Sequence, residues 1–89
     1  MNKSLGIIEV TGMVTAIACI DAMTKSAFVD LYKVNRVGSG LIAIFIKGDL
    51  ASVLYAIDIG QAEAMRHGEL VAYRVIPRPY KGLYSIVDK

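Results

Sequence analysis

The feature that most restricts the fold of this chain is the stretch Gly38-Ser39-Gly40, which lies between two apolar runs. Two glycines around one serine permit backbone angles with φ > 0 and leave the backbone N–H groups uncovered by side chains. Between two β-rich segments, such a stretch is typical of a tight hairpin turn. Taken alone it predicts a turn. Its uncovered backbone also suits close contact with another chain or with a small polar solute.

The segments around this turn follow the hydrophobic periodicities of strands and helices. We predict strands at 5–10, 28–37, 41–46 and 69–76, and helices at 13–25 and 49–67. Asp49 is a suitable N-cap for the second helix, and Gly68 is a suitable residue to end it. The last strand ends at Pro77 and Pro79, because a proline has no N–H to donate to a neighbouring strand.

The element order β-α-β-β-α-β predicts an α+β fold, the ferredoxin-like sandwich, with one antiparallel four-stranded sheet, two helices on one face and a short C-terminal tail. In this topology the first and third strands are central. They are also the two most apolar strands, and the third is apolar on both faces, as a central strand should be. With no linker or repeat in the sequence, we predict a single domain over residues 1–89, with its core at 5–80 and its tail at 81–89.

The apolar content is high for a chain of 89 residues, since 55% of the residues are hydrophobic. We expect one stripe of each helix to face the core: Met13, Ala16, Ile17, Ile20 and Met23 in the first, and Leu50, Val53, Leu54, Ile57, Ala64 and Met65 in the second. A domain this small buries only about 60 to 65% of the surface of its unfolded chain. The remaining apolar surface predicts burial between subunits.

Charge and run lengths disfavour several classes of protein. The formal net charge of +2 is too small to indicate nucleic-acid binding. The longest apolar run, 41–46, is far shorter than the ~20 residues of a membrane-spanning helix. The apolar segment after Lys3 is interrupted by Glu9 and Asp21, which disfavours a signal peptide. Cys19 is the only cysteine, so it forms no internal disulfide and a reducing cytoplasm is favoured.

We find no convergent catalytic or metal-binding set in the sequence. His67 has no second histidine or cysteine at ligand spacing, and it is expected to be a solvated residue near a helix end. Cys19 is expected to be a small buried hydrophobe. The glycine-rich turn is too short for a phosphate-binding loop and leads into a strand. Phe45 is the only aromatic residue of the central strands, where an RNA-recognition module needs several. We therefore predict no enzyme, no metal and no cofactor.

Six short stretches, taken in order, resemble one known family. They are LGIIE at 5–9, DAMTKSA at 21–27, VGSGL at 37–41, KGD at 47–49, DIG at 58–60 and VIPRP at 75–79. Together they resemble bacterial microcompartment shell proteins of the single-domain, hexamer-forming class, similar to those of propanediol and ethanolamine utilisation. The resemblance extends from Leu5 to about Tyr80.

The resemblance implies a cyclic hexamer in the bacterial cytoplasm that tiles edge to edge into a shell around metabolic enzymes. Gly38, Ser39 and Gly40 match the loop that lines the central pore of such hexamers, through which small polar metabolites pass. Lys25 and Arg78 match the residues at the edge between hexamers. The implied partners are further copies of the chain, other shell proteins and the enclosed enzymes, with no nucleic acid and no membrane.

Some positions depart from the usual pattern of that family. Phe28 stands near the implied edge where the family often has a polar residue, and Tyr80 replaces a frequent histidine. Lys33 and Arg36 add positive charge on the approach to the turn, which favours anions there. The alternative that stays open is a small-molecule-binding regulatory domain of the same topology, which would show a ligand-dependent oligomer and no sheets. The enclosed pathway also stays open.

Overall fold

The six predicted elements are present in the computed structural model, which describes residues 3–67, 70–78, 83, 86 and 87. They are β1 (Ser4–Thr11), α1 (Met13–Ser26), β2 (Asp30–Gly38), β3 (Leu41–Gly48), α2 (Leu50–Arg66) and β4 (Leu70–Ile76). The predicted order is confirmed. Gly68, Pro79, Tyr80 and most of the predicted tail lie outside the described residues. From the tail, the carbonyl of Val87 accepts a hydrogen bond from the Lys33 ammonium of β2.

The four strands form one sheet in the order β2-β3-β1-β4, and every neighbouring pair is antiparallel. The central position predicted for β1 and β3 is confirmed. In their register, Ser4 lies opposite Gly48 at one end of the sheet, and Thr11 lies opposite Leu41 at the other. The α+β, ferredoxin-like architecture is therefore confirmed.

Two glycines allow the helices to approach the sheet and each other closely. A Cβ atom on Gly6 of β1 would lie 2.8 Å from Val53 Cγ1 of α2, and one on Gly60 of α2 would lie 2.8 Å from Met23 Sδ of α1. Both distances are shorter than real Cβ contacts, so a larger residue at either position would force the facing side chain to move. The Cys19 thiol donates a hydrogen bond to the Gly60 carbonyl at 3.5 Å. Close packing of α1 on α2 and of α2 on β1 thus depends on these glycines.

The predicted core stripes of the helices are only partly correct. Ala16, Met23, Val53, Ile57 and Ala64 are buried as expected. The residues that proved exposed are Ile17 in α1 and Leu50, Leu54 and Met65 in α2, with 58%, 42%, 49% and 66% of their surface in solvent. The reason is that the two helices also pack against each other, and small residues occupy this contact. The buried stripe is therefore rotated toward Cys19, Ala56 and Gly60.

The helix boundaries follow from local capping. The Asp49 carboxylate accepts a hydrogen bond from the Ser52 N–H at 2.8 Å, as an N-cap does. This bond lowers the pKa of Asp49, because it favours the charged carboxylate. At the end of α1, the Ala27 N–H donates to the Met23 carbonyl. The chain then turns, so β2 begins at Asp30 and Phe28 lies outside the strand in which it was predicted.

Candidate functional site

The predicted turn is a two-residue hairpin loop between β2 and β3. Gly38 and Leu41 form the last pair of the ladder, and Ser39 and Gly40 connect them. The φ angles of Ser39 and Gly40 are 53° and 77°, and that of Gly38 is 106°. Positive φ at both connecting residues is the signature of a type I′ turn, which matches the twist of the flanking strands. Three consecutive left-handed residues explain why two of them are glycine.

Backbone angle, rather than crowding, is what requires glycine here. A Cβ atom added to Gly38 or Gly40 would meet no atom within 4 Å. All three turn residues are exposed, so the space beside the backbone is open. Ser39 supplies the only side chain of the turn. The surface at this point is therefore made of peptide groups and one hydroxyl.

A hydrogen bond ties the turn to the start of α1. The N–H of Gly12 donates to the carbonyl of Gly40 at 2.9 Å. Gly12 also has a positive φ, 89°, and it precedes the first residue of α1. Beside this bond lies a shallow hollow lined by Gly12, Met13, Arg36, Gly38, Gly40, Leu41 and Ile42. Arg36 is exposed, so it adds a positive charge next to the open backbone.

The two predicted edge residues are both exposed cations. Lys25 lies in the last turn of α1, and its Nζ is 3.3 Å from Asp21 Oδ2, with 73% of the lysine side chain in solvent. Arg78 directly follows Pro77, whose carbonyl accepts a hydrogen bond from the Ser4 hydroxyl at 2.8 Å. This bond fastens the segment before Arg78 to the start of β1. The lysine is thus positioned by a helix end, and the arginine by the strand that it follows.

The structure brings Lys25 and Arg78 to the same end of the sheet and places the turn at the opposite end. Ile76, two residues before Arg78, pairs with Leu5 near the start of β1. The turn lies at the opposite end of the sheet, where Thr11 of β1 pairs with Leu41 of β3. From there the 14-residue α1 runs back, with Lys25 as its next-to-last residue; a helix of this length is about 20 Å long at ~1.5 Å per residue. The predicted pore residues and the predicted edge residues therefore lie at opposite ends of the fold.

Exposed apolar side chains are the feature that the residue-by-residue prediction missed. Among the described residues, the large hydrophobic side chains that are exposed are Val14, Ile17, Phe28, Leu31, Val34, Val37, Leu50, Leu54, Tyr55, Met65, Val71, Tyr73 and Ile86. Several of them belong to the stripes that were assigned to the core. The high apolar content of the composition predicted such a surface, but helical periodicity alone did not locate it.

Two residues with reactive side chains occupy chemically quiet places. Cys19 is fully buried, and burial, with a smaller effect of the Glu63 charge, raises the pKa of its thiol to about 11. The thiol is therefore protonated at neutral pH, in agreement with a buried hydrophobe. His67 caps the C-terminus of α2, with Nε2 3.5 Å from Glu63 Oε2. Among the described residues, no three or more His, Cys, Asp or Glu side chains are grouped to hold a metal ion.

The helices of the described part of the chain do not have the length and apolar character needed to cross a membrane.

Comparison with known proteins gives consistent matches. The BMC domain family model matches residues 4–79. The chain is 41% identical over 88 residues to the bacterial microcompartment shell protein PduA of Salmonella typhimurium, covering 99% of this chain and 94% of that protein. It is 44% identical over 84 residues to the shell protein EutM of Escherichia coli, covering 94% of this chain and 87% of that protein.

A solved structure is similar as well. The crystal structure of a microcompartment protein from Desulfitobacterium hafniense matches with a TM-score of 0.85 and 34% identity over 96% of this chain. The chain spans about half of the length of that protein, 48%.

Proposed function

This chain belongs to the BMC domain family, and from that premise we propose that six copies form a ring whose central pore is lined by Gly38, Ser39 and Gly40. Rings of this kind would tile into a sheet through edges that contain Lys25 and Arg78. As a bacterial microcompartment shell protein, the chain is a structural component of the shell in the bacterial cytoplasm and not an enzyme. The ring, the tiling and the pore are the proposal.

The observation that carries the proposal is the separation of the turn from the two cations. A subunit of a tiled ring needs one end at the ring axis and another at the perimeter. This domain has an uncovered backbone turn at one end and exposed Lys25 and Arg78 at the other. It is also flat, with Cα extents of 34 × 27 × 16 Å. Both its shape and the placement of its residues suit a tile.

The exposed apolar residues support contacts between subunits within the ring. Burial of apolar surface contributes ~25 cal/mol per Å², so burying such side chains between subunits would stabilise a ring. Ile17 on α1 and Leu54 on α2, with about half of their surface exposed, lie on parts of the helices that the core does not use. In a ring, every subunit would bury such surface at two contacts, one with each neighbour.

Six copies of the turn around one axis would form a pore of peptide groups and Ser39 hydroxyls. Small polar or anionic solutes would exchange water for these donors, whereas bulky apolar solutes would gain less. The exposed Arg36 next to the turn would be repeated six times and would raise the concentration of anions at the entrance. We therefore expect small polar metabolites to pass, with a preference for anions.

At the perimeter, the contacts would be small and repeated. An arginine fork donates to several carbonyls at once. The side chain of Arg78 is exposed and can therefore reach a neighbouring ring. Each such contact is weak, but a ring with six edges gains strength by multivalency. Other shell proteins of the same class, and the enclosed enzymes, are the further partners that we propose.

Native mass spectrometry and electron microscopy of the purified chain test this proposal. We expect hexamers that grow into hexagonally ordered sheets or tubes as the concentration rises. Monomers or dimers that never assemble would contradict it. If such a protein changed its oligomeric state on binding a small molecule, the regulatory-domain alternative would take its place.

A further inference from the structure

One aromatic side chain stands almost entirely in solvent near the end that carries Lys25. Phe28 has 94% of its surface exposed, the largest value among the exposed hydrophobic residues of the described chain. It lies beside a hollow on the surface. We call this surface the Phe28 patch; it is lined by Ser26, Ala27, Phe28, Ala51, Ser52 and Tyr55. Burial of a full phenyl ring is favourable, so a partner that covered Phe28 would gain binding free energy.

The backbone that carries Phe28 is held on both sides. Ala27 donates to the Met23 carbonyl at 3.1 Å, and the Val29 N–H donates to the Ala27 carbonyl at 2.9 Å. The Phe28 carbonyl oxygen lies so close to Gly48 that a Cβ atom there would be 2.9 Å from it. Val29 is buried in the core. The ring therefore projects from a fixed point of the surface.

The Phe28 patch contains a projecting ring and a hollow side by side. Small residues line the hollow together with Tyr55, which is 56% exposed. In the last two turns of α1, Asp21 and Lys25 place opposite charges on the same end of the domain. In a two-fold contact the same patch meets itself, so each feature must find its complement within that patch. A ring with a hollow, and an acid with a base, meet this condition.

We propose that the Phe28 patch is a contact between two copies of this chain in neighbouring hexamers, where each Phe28 ring enters the hollow of the other copy. The inference rests on the proposed function, because it assumes that the Lys25 end of the domain is the perimeter of a ring. It adds an apolar anchor to an edge otherwise made of exposed cations. It also makes the edge selective, since a tile with a polar residue at this position would leave the hollow unfilled.

The test compares three forms of the full chain at equal concentrations. Phe28→Ala removes the ring, and Phe28→Tyr keeps it as the matched control. Full burial of a phenylalanine side chain contributes ~1.5–3 kcal/mol, or roughly a tenfold change or more in an association constant. By light scattering and electron microscopy, we expect Phe28→Ala to raise the concentration at which sheets appear at least about tenfold, with hexamers intact in native mass spectrometry. Phe28→Tyr should assemble like the wild type.

Cross-linking gives a second, independent measurement. Cys19 is buried and protonated, so a Phe28→Cys variant offers a single accessible thiol to a bismaleimide reagent. Like Phe28→Ala, this variant lacks the ring, so it is cross-linked above its raised onset of assembly, where we expect cross-linked species that join separate hexamers. Wild-type sheets with an unchanged onset in Phe28→Ala, or cross-links confined to single hexamers, would overturn this inference and leave the proposed function standing. A wild-type chain that never forms hexamers would overturn both.

Discussion

The two ends of this domain expose different chemical groups. At the turn end, Ser39 and Gly40 present backbone in a left-handed conformation with a single hydroxyl side chain. At the other end, Lys25, Phe28 and Arg78 present long side chains on ordinary backbone. The first surface depends on conformation and the second on side-chain identity. Substitutions at the first should therefore change folding stability, whereas substitutions at the second should change only assembly.

The largest effect that we expect is the loss of sheets in Arg78→Ala. The arginine is proposed to bond across the edge, and its side chain is exposed, so hexamers should persist while ordered sheets disappear in electron micrographs. Arg66→Ala is a matched control, because Arg66 is an exposed arginine at the end of α2, paired with Glu63 at 3.3 Å. This control should still form sheets. Loss of the hexamer in Arg78→Ala would contradict the assignment of Arg78 to the contact between hexamers.

Substitutions at the turn end should lower folding stability, in contrast to those at the edge. Gly40→Val places a β-branched residue at a φ of 77°, which costs on the order of 2 kcal/mol in the free energy of unfolding. Urea titrations at a fixed chain concentration measure this loss. Gly40→Asn should lose less, because asparagine tolerates this region. Phe28→Ala, at the other end, should change the free energy of unfolding by less than about 0.5 kcal/mol. Equal losses at both ends would break the comparison.

A third substitution tests transport at the turn end without changing the edge. Ser39→Leu replaces the one hydroxyl of the turn with a bulky apolar side chain. We expect the turnover of enclosed enzymes to fall severalfold in intact compartments and to stay unchanged after the shells are broken. Ser39→Asn, which is polar and tolerates positive φ, is the control and should keep most of the flux. Unchanged flux in Ser39→Leu would argue against a pore at this turn.

The last effect is absent at neutral pH and concerns Cys19, which lies between the two ends. Its thiol has a pKa of about 11 in the folded chain against an ordinary value of 9.0. Above pH 9 the unfolded chain loses this proton while the folded chain keeps it, so stability falls as the pH rises from 9 toward 11. In urea titrations over this range, Cys19→Ala should show a shallower fall than the wild type. Identical slopes would mean that the buried thiol does not contribute.

The fold was largely predictable because local signals and topology agree. Asp49 is the cap that its position indicated, and the strands with the most apolar residues are the central ones. Gly38 and Gly40 were predicted to turn the chain, and three positive φ angles show why. These features depend on short-range backbone chemistry, which a single sequence carries.

The surfaces were harder to predict. Helical periodicity assigned Ile17, Leu54 and Met65 to the core, but it does not distinguish a side chain that faces the sheet from one that faces a second subunit. The edge roles proposed for Lys25 and Arg78 came from family resemblance, because an exposed cation has no local signature of a contact. The exposure of Phe28 became visible only when the chain was seen to turn between Ala27 and Val29.

A cryo-electron microscopy map of the assembled sheet, at a resolution that traces the backbone, tests the central claim most directly. We expect a six-fold axis surrounded by residues 38–40, with Lys25, Phe28 and Arg78 at the two-fold contacts between neighbouring rings. A map that placed the turn at the contacts between rings, or a lattice without a six-fold axis, would contradict it.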